Sequence, residues 1–179
     1  MTLAPIDTIR ESVTIHAPIE RCFSISTRIE LVQRTLGMTP IAGVTSGHIG
    51  EKSRVTWSGW KFGLPTQHHT LITAFEVPHA NSARRKAAFF QDTQERGRFS
   101  FFQHDHYFTE ELDGEGITVL RDEVRFALPF GPLGRLAEKF LLAPHIRKLA
   151  RHRFAMIKDL AEGEDWREWV EETTLPQVL

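Results

Sequence analysis

Residues 9–15, IRESVTI, alternate apolar and polar with period two, which predicts a half-buried strand. The period then changes: Ile19, Cys22 and Phe23 fall at helical spacing just after Pro18, a residue suited to a first helical turn, so a short helix starts there and is interrupted or redirected near Ser26 and Thr27. From Gly43 onward the texture is β. Turn glycines at 47 and 50 precede the alternating Val55, Trp57 and Gly59. QHHTLITAFEV, AFFQDTQE, RFSFFQHDHYFTEEL and GITVLRDEVRFAL each read as a further strand. Between the first two lies PHANSARRKA, residues 78–87, which reads as a polar, basic loop, and DGEG at 113–116 reads as the hairpin turn joining the last two. PFGPLG, 129–134, ends the strands. A helical pattern follows to about residue 162, with Leu133, Leu136, Phe140, Leu149, Met156, Ile157 and Leu160 as a broken apolar stripe. Pro144 removes a helix hydrogen bond and crowds the preceding turn, so the helix is expected to kink or restart there. After Gly163, Trp166, Trp169 and Val170 form a short amphipathic turn expected to dock on the body.

One strand, a short helix, five or six further strands and a long final helix give an α+β order with segregated elements. The sheet is therefore expected to be mainly antiparallel. If such a sheet curves and a single helix closes it, the helix cannot fill the concave side, and the space left is where a ligand goes.

Composition narrows the class. The chain has 179 residues, 41% hydrophobic and 25% charged, which is the balance of one globular domain with a sizeable core. Lys plus Arg number 22 against 23 acidic residues, so no global field draws the protein to nucleic acid. The lone Cys22 cannot form an internal disulfide, and MTLAPIDTIRES lacks the basic start and apolar run of a secretory signal. A cytoplasmic location is the expectation. No apolar stretch approaches the ~18 residues needed to cross a bilayer.

The strand sequences contain three spaced motifs: D-x-x-x-x-G-x-F from Asp92, H-x-H-x-F from His104, and D-x-V-x-F-x-x-P-x-G from Asp122. With APIERCF, TSGHIGEKSRVTW and LITAFEVP before them, the order resembles the START-like, polyketide cyclase/dehydratase and lipid-transfer superfamily (SRPBCC), in its bacterial branch, over about residues 9–160. The resemblance implies a helix-grip fold, a curved antiparallel sheet wrapped around a long C-terminal helix with a deep, mostly apolar cavity between them. It implies function only loosely, since members bind lipids, hormones or polyketides and only some perform chemistry. On this reading residues 1–162 are the START-like domain and 163–179 a C-terminal tail. The loop at 78–87 is longer than usual for that turn, and the tail is extra.

Alternation assigns the faces. Phe102, His104, His106 and Phe108 share one face, while Phe101, Gln103, Asp105 and Tyr107 share the other. On the next strand Leu120, Asp122, Val124, Phe126 and Leu128 point one way, and the charged set Arg121, Glu123 and Arg125, with Val119, points to solvent. Asp122 is therefore inside. The hairpin brings His104 or His106 next to it, which relieves the cost of an ionised carboxylate among apolar neighbours. Asp92 and Gln94 share the face of Phe90 and can join them.

Three readings of this cluster stand side by side. It is a satisfied polar network fixing the register, or a polar patch orienting a ligand's carbonyl or hydroxyl, or an acid/base site in which His104 or His106 moves a proton and Asp122 holds the tautomer. Metal binding is disfavoured by ligand count: the two histidines have workable geometry, but a third ligand would have to be Asp122 or Asp92, and the implied family is usually metal-free. No cofactor is expected. Of His68 and His69, adjacent in a strand, at most one is internal.

Cys22, on the apolar stripe, is expected to be inert. Arg147, Lys148, Arg151 and Arg153 read as a solvated basic face, which with Arg84, Arg85 and Lys86 offers a transient membrane or protein contact through the 78–87 loop and the tail. The preferred reading is a carrier or sensor that binds a small hydrophobic molecule, with walls from Trp57, Phe90, Phe102, Phe108, Val124 and Phe126 and polarity from His104, His106, Asp122, Asp92 and Gln94. The alternatives are a cofactor-free cyclase or dehydratase using the same cluster, and an interaction module. Oligomeric state is left open.

Overall fold

The computed structural model describes residues 6–81, 85–111 and 116–170. Seven strands, β1 (Asp7–Ile15), β2 (Thr39–Gly43), β3 (Arg54–Lys61), β4 (Leu64–Ala80), β5 (Arg85–Arg96), β6 (Phe101–Glu111) and β7 (Thr118–Ala127), form one antiparallel sheet in the order β1-β7-β6-β5-β4-β3-β2. The first strand thus pairs with the last, so the chain must cross from one edge of the sheet to the other between β1 and β2. It does so through α1 (Ile19–Ser26) and α2 (Ile29–Leu36), which meet at the interruption expected near Ser26 and Thr27. Gly37 ends α2 in the left-handed conformation, where a side chain would be strained.

Register shifts between His69 and Thr70, Ile72 and Ala74, and Glu76 and His79 interrupt the long β4–β5 ladder. Each such bulge bends the strand and tightens its twist, and this is how a sheet with few glycines curves. Within the segment expected as a loop at 78–87, Pro78–Ala80 and Arg85–Ala87 belong to strands β4 and β5. His79 pairs with Ala87 and Ala80 with Lys86, while residues 82–84, Arg84 among them, lie outside the described residues. Most of the DGEG turn also lies outside them.

The C-terminal helix begins at Gly131, where Phe130 and Gly131, both at positive φ, reverse the chain out of β7. It runs as α3 (Gly131–Ala137), a π-helical turn (Glu138–Leu142) and α4 (Ala143–Glu162). The π turn stands immediately before Pro144, whose missing N–H and ring the wider turn accommodates without breaking the helix. Buried Glu138 accepts the Leu128 backbone N–H and ties this turn to the end of the sheet.

The face that α4 buries differs from the expected stripe. Ile146, Ala150, Arg153, Phe154, Ile157 and Ala161 pack inward, whereas Leu133 is 75% and Phe140 68% exposed, and Leu136 also faces out. The stripe was read across the π turn, which inserts an extra residue and rotates everything before it relative to α4. Finally α5 (Trp166–Val170) lies against α1: Arg21 stacks 4.0 Å over Trp166, and Trp169 is buried.

The apolar core gathers Ile15, Ile19, Phe23, Ile25, Trp57, Phe90, Phe108, Leu120, Phe154 and Ile157 at the α1 end of the sheet. A second cluster, Ile9, Val124, Phe126, Leu142 and Ile146, holds the start of α4 against the β1–β7 edge. Core packing is thus split in two.

Candidate functional site

Between the concave sheet, α2 and α4 lies a cavity of about 470 Å³ lined chiefly by apolar side chains, among them Ile29, Met38, Val55, Ile72, Leu142 and Leu149. The tip of the β3–β4 hairpin contributes Phe62, held at positive φ, whose ring lies 5.0 Å from the His145 ring of α4. Of the residues assigned to the site by alternation, Trp57, Phe90, Asp92, Phe102, His104, His106 and Val124 line this space. Phe108, Phe126 and Asp122 lie behind that surface, fully buried. Gln94 turns away to bind the Phe99 backbone carbonyl at 3.0 Å, bracing the turn into β6.

The polar cluster follows directly from register. Asp92 on β5 is opposite His104 on β6, and His106 on β6 is opposite Asp122 on β7, so four ionisable groups from three neighbouring strands share one face. His106 Nδ1 is 2.8 Å from Asp122 Oδ1, and its Nε2 is 3.3 Å from Asp92 Oδ2. His104 Nε2 lies 3.2 Å from Asp122 Oδ2, but without the alignment of a hydrogen bond, and its Nδ1 is 3.8 Å from Asp92 Oδ2. Both histidines therefore serve the two carboxylates, where one had been expected to meet Asp122. The Phe90 ring stacks on His106 at 4.1 Å and fixes its plane.

Arg153 completes the cluster. It was expected on a solvated face, yet it is 5% exposed and donates from Nη1 to Asp122 Oδ2 at 3.1 Å. Its position was readable: Arg153 is seven residues after Ile146 and four before Ile157, in the middle of the buried stripe. Three other basic residues of that reading are paired at the surface: Arg151 with Glu11, Arg85 with Glu111 and Lys86 with Glu20.

Burial opposes ionisation of Asp122, but His106, Arg153 and His104 beside it hold its carboxyl well below the usual carboxylate range. Burial likewise works against Asp92, and the hydrogen bond from His106 with the nearby His104 overcomes it, so its pKa is lowered. His106 moves the other way in charge: burial, then His104, push its pKa down against the pull of Asp122, which favours the neutral imidazole. The account that fits these directions is two ionised carboxylates, one guanidinium and a neutral His106.

His68 is the inward member of its pair. It lines the cavity with its ring edge-on to Phe102 at 5.4 Å, and burial lowers its pKa, while His69 meets Thr56 Oγ1 at 3.2 Å. On the outer sheet face Asp105 is as buried as Asp122, covered by Arg125 at 2.8 Å, Gln103 at 2.9 Å and Gln91. Cys22 is buried, and burial pushes its thiol up to about 11, which leaves it unreactive.

A curved antiparallel sheet gripping one long helix around an apolar hollow is the helix-grip architecture. No family model matches the sequence and no curated protein does, so the likeness is carried by solved structures. A START superfamily protein from Mycobacterium smegmatis is 13% identical with a TM-score of 0.58, over 85% of this chain and 97% of that one. Truncated norcoclaurine synthase from Thalictrum flavum is 10% identical with a TM-score of 0.60, covering 92% of this chain and 98% of that one. The di-domain ARO/CYC BexL of the BE-7585A biosynthetic pathway is 14% identical with a TM-score of 0.62, over 89% of this chain and 51% of that one. Identities this low speak to fold alone. Among the described residues, no helix is long and apolar enough to cross a membrane.

Proposed function

We propose that the protein binds a small hydrophobic molecule, such as a lipid or a polyketide, within this cavity and acts as a carrier or sensor. The observation that carries the reading is the cavity itself: about 470 Å³ of apolar space with one convergent polar cluster on a single wall. That is the volume and lining of small-molecule sites, where apolar walls supply affinity and a few polar groups set orientation. A ligand with one polar end would place it at Asp92 and His104 and its apolar body toward Ile72, Leu142 and Leu149.

The test is a titration with the apolar fluorophore 1-anilinonaphthalene-8-sulfonate. Leu149, half-buried on α4, lines the cavity, so Leu149→Trp fills it from a tolerant position. The expected result is saturable binding near one probe per chain, weakened at least about tenfold, or ~1.4 kcal/mol, by the substitution. Binding that is indifferent to Leu149→Trp would place the probe on the surface and contradict the proposal.

A second reading, a cyclase or dehydratase, is favoured by His104 and Asp92 facing the cavity within reach of a bound molecule. His104 or His106 would move a proton while Asp122 holds the imidazole. An aromatase/cyclase and norcoclaurine synthase are among the proteins of similar fold, which supports chemistry being compatible with this architecture. Under that reading His104→Ala abolishes turnover of a polyketide-like substrate while leaving fluorophore binding intact.

A further inference from the structure

We propose that Asp92, His104 and His106 form a mononuclear site for a zinc-class divalent cation, with its open coordination position facing the apolar cavity. This goes beyond ligand binding and does not depend on it.

A ligand atom from each of the three residues lies within 4.8 Å of the other two. The Asp92 carboxylate is 3.3 Å from His106 Nε2 and 3.8 Å from His104 Nδ1. In a tetrahedral site with bonds near 2.1 Å the ligand atoms stand ~3.4 Å apart, so small side-chain rotations are enough to close the set. The residues come from adjacent strands in fixed register, and Phe90 stacks on His106, so the backbone beneath them is rigid.

The ring nitrogens are also arranged for it. His106 Nδ1 is 2.8 Å from Asp122 and its Nε2 3.3 Å from Asp92, and His104 likewise sets Nε2 near Asp122 and Nδ1 near Asp92. Each imidazole thus turns one nitrogen to Asp122, which Arg153 anchors, and the other toward Asp92, so two ring nitrogens and a carboxylate oxygen converge beside the cavity.

A metal-bound histidine characteristically gives its other N–H to a carboxylate, which fixes the tautomer and strengthens the ligand. Asp122 stands in that position for His106 at 2.8 Å and beside His104 at 3.2 Å, and is itself held by Arg153. Two nitrogens and one carboxylate oxygen suit zinc, iron(II) or cobalt(II) rather than calcium or magnesium. With three protein ligands the fourth position is open toward the cavity, where the cation would take an oxygen of the bound molecule as a Lewis acid.

The experiment uses the full-length, tag-free protein, stripped with chelator and titrated with cobalt(II) while visible absorption is followed. The expected result is d–d bands saturating near one cobalt per chain and displaced by zinc. Asp92→Asn and His104→Gln, both close in volume to the originals, are each expected to weaken binding at least about tenfold, whereas removal of the exposed His79 leaves it unchanged. Thermal unfolding of each metal-free variant confirms that it is folded.

Absence of the bands in wild-type protein overturns the proposal without recourse to any variant. Saturation that Asp92→Asn does not weaken also overturns it, by placing the cobalt elsewhere. Fluorophore binding measured on the same samples reads the cavity independently, so loss of the metal site and loss of the ligand site are distinguishable.

Discussion

Arg153 shows how much one side chain can change the meaning of its neighbours. A basic run on a last helix reads as solvated surface, and three of its four members fit that description. The fourth reaches under the sheet and stabilises Asp122 as an anion. Arg153→Met is therefore expected to cost ~3–5 kcal/mol in urea unfolding, because it leaves a buried charge with histidines alone. Replacing Asp122 by Leu in the same chain should recover much of that loss, since the orphaned charge is then gone; a double variant as unstable as the single one would contradict the pairing. Acid should act through the same groups. In chelator, His68 and His106 are held neutral by burial below the ordinary value of 6.5, so as pH falls through that value the unfolded chain takes up protons first and stability declines. Asp92 and Asp122 add a second loss below their ordinary 3.8, because their folded pKa values are depressed. Stability by chemical denaturation should hence fall monotonically from pH 7 to pH 3. The inward histidines and Asp122 were legible because strand alternation has an unambiguous period of two. Arg153 was less so, because a charged residue in an apolar stripe looks like noise until its partner is known.

Six of the seven strands and the long helix follow from the sequence with bounds shifted by a few residues; β2, five residues of mostly exposed chain, has too short a run to show an alternation. The long β4–β5 hairpin carries polar residues into pairing, and their polarity read as a loop. The helix stripe failed at the π turn, where an inserted residue breaks the 3.6 period and sends Leu133, Leu136 and Phe140 outward. Gly134 marks how closely that helix start approaches the end of the sheet: a Cβ there would meet the Pro129 carbonyl oxygen at 2.2 Å. Gly134→Ala is expected to destabilise the protein by ~1–3 kcal/mol, read as a lowered urea midpoint. At the other side of the cavity, the ring contact between Phe62 and His145 joins the β3–β4 hairpin tip to α4. Phe62→Ala should leave stability nearly unchanged and speed release of a bound fluorophore in stopped-flow displacement; unchanged release would show that ligand leaves by another route.

For the molecule as a unit, segregated strands and helices pointed to a mainly antiparallel sheet with a long final helix, the resemblance implied its curvature around that helix, and the motifs at Asp92 and His104 lie on one wall of one hollow with Asp122 behind them. What periodicity could not supply was the volume left between layers. That volume depends on which side chains meet across the gap: Phe108 and Phe126, expected as walls, are packed behind it, and Gln94, expected to add polarity, binds the Phe99 carbonyl instead. The central claim is that this remaining space exists to hold an apolar molecule, and native mass spectrometry of protein purified from its own cells tests it most directly. The account predicts a population heavier than the bare chain by a discrete mass, released on denaturation as an apolar compound and diminished by Leu149→Trp. A single species at the mass of the bare polypeptide, which takes up no added lipid or polyketide, would contradict it.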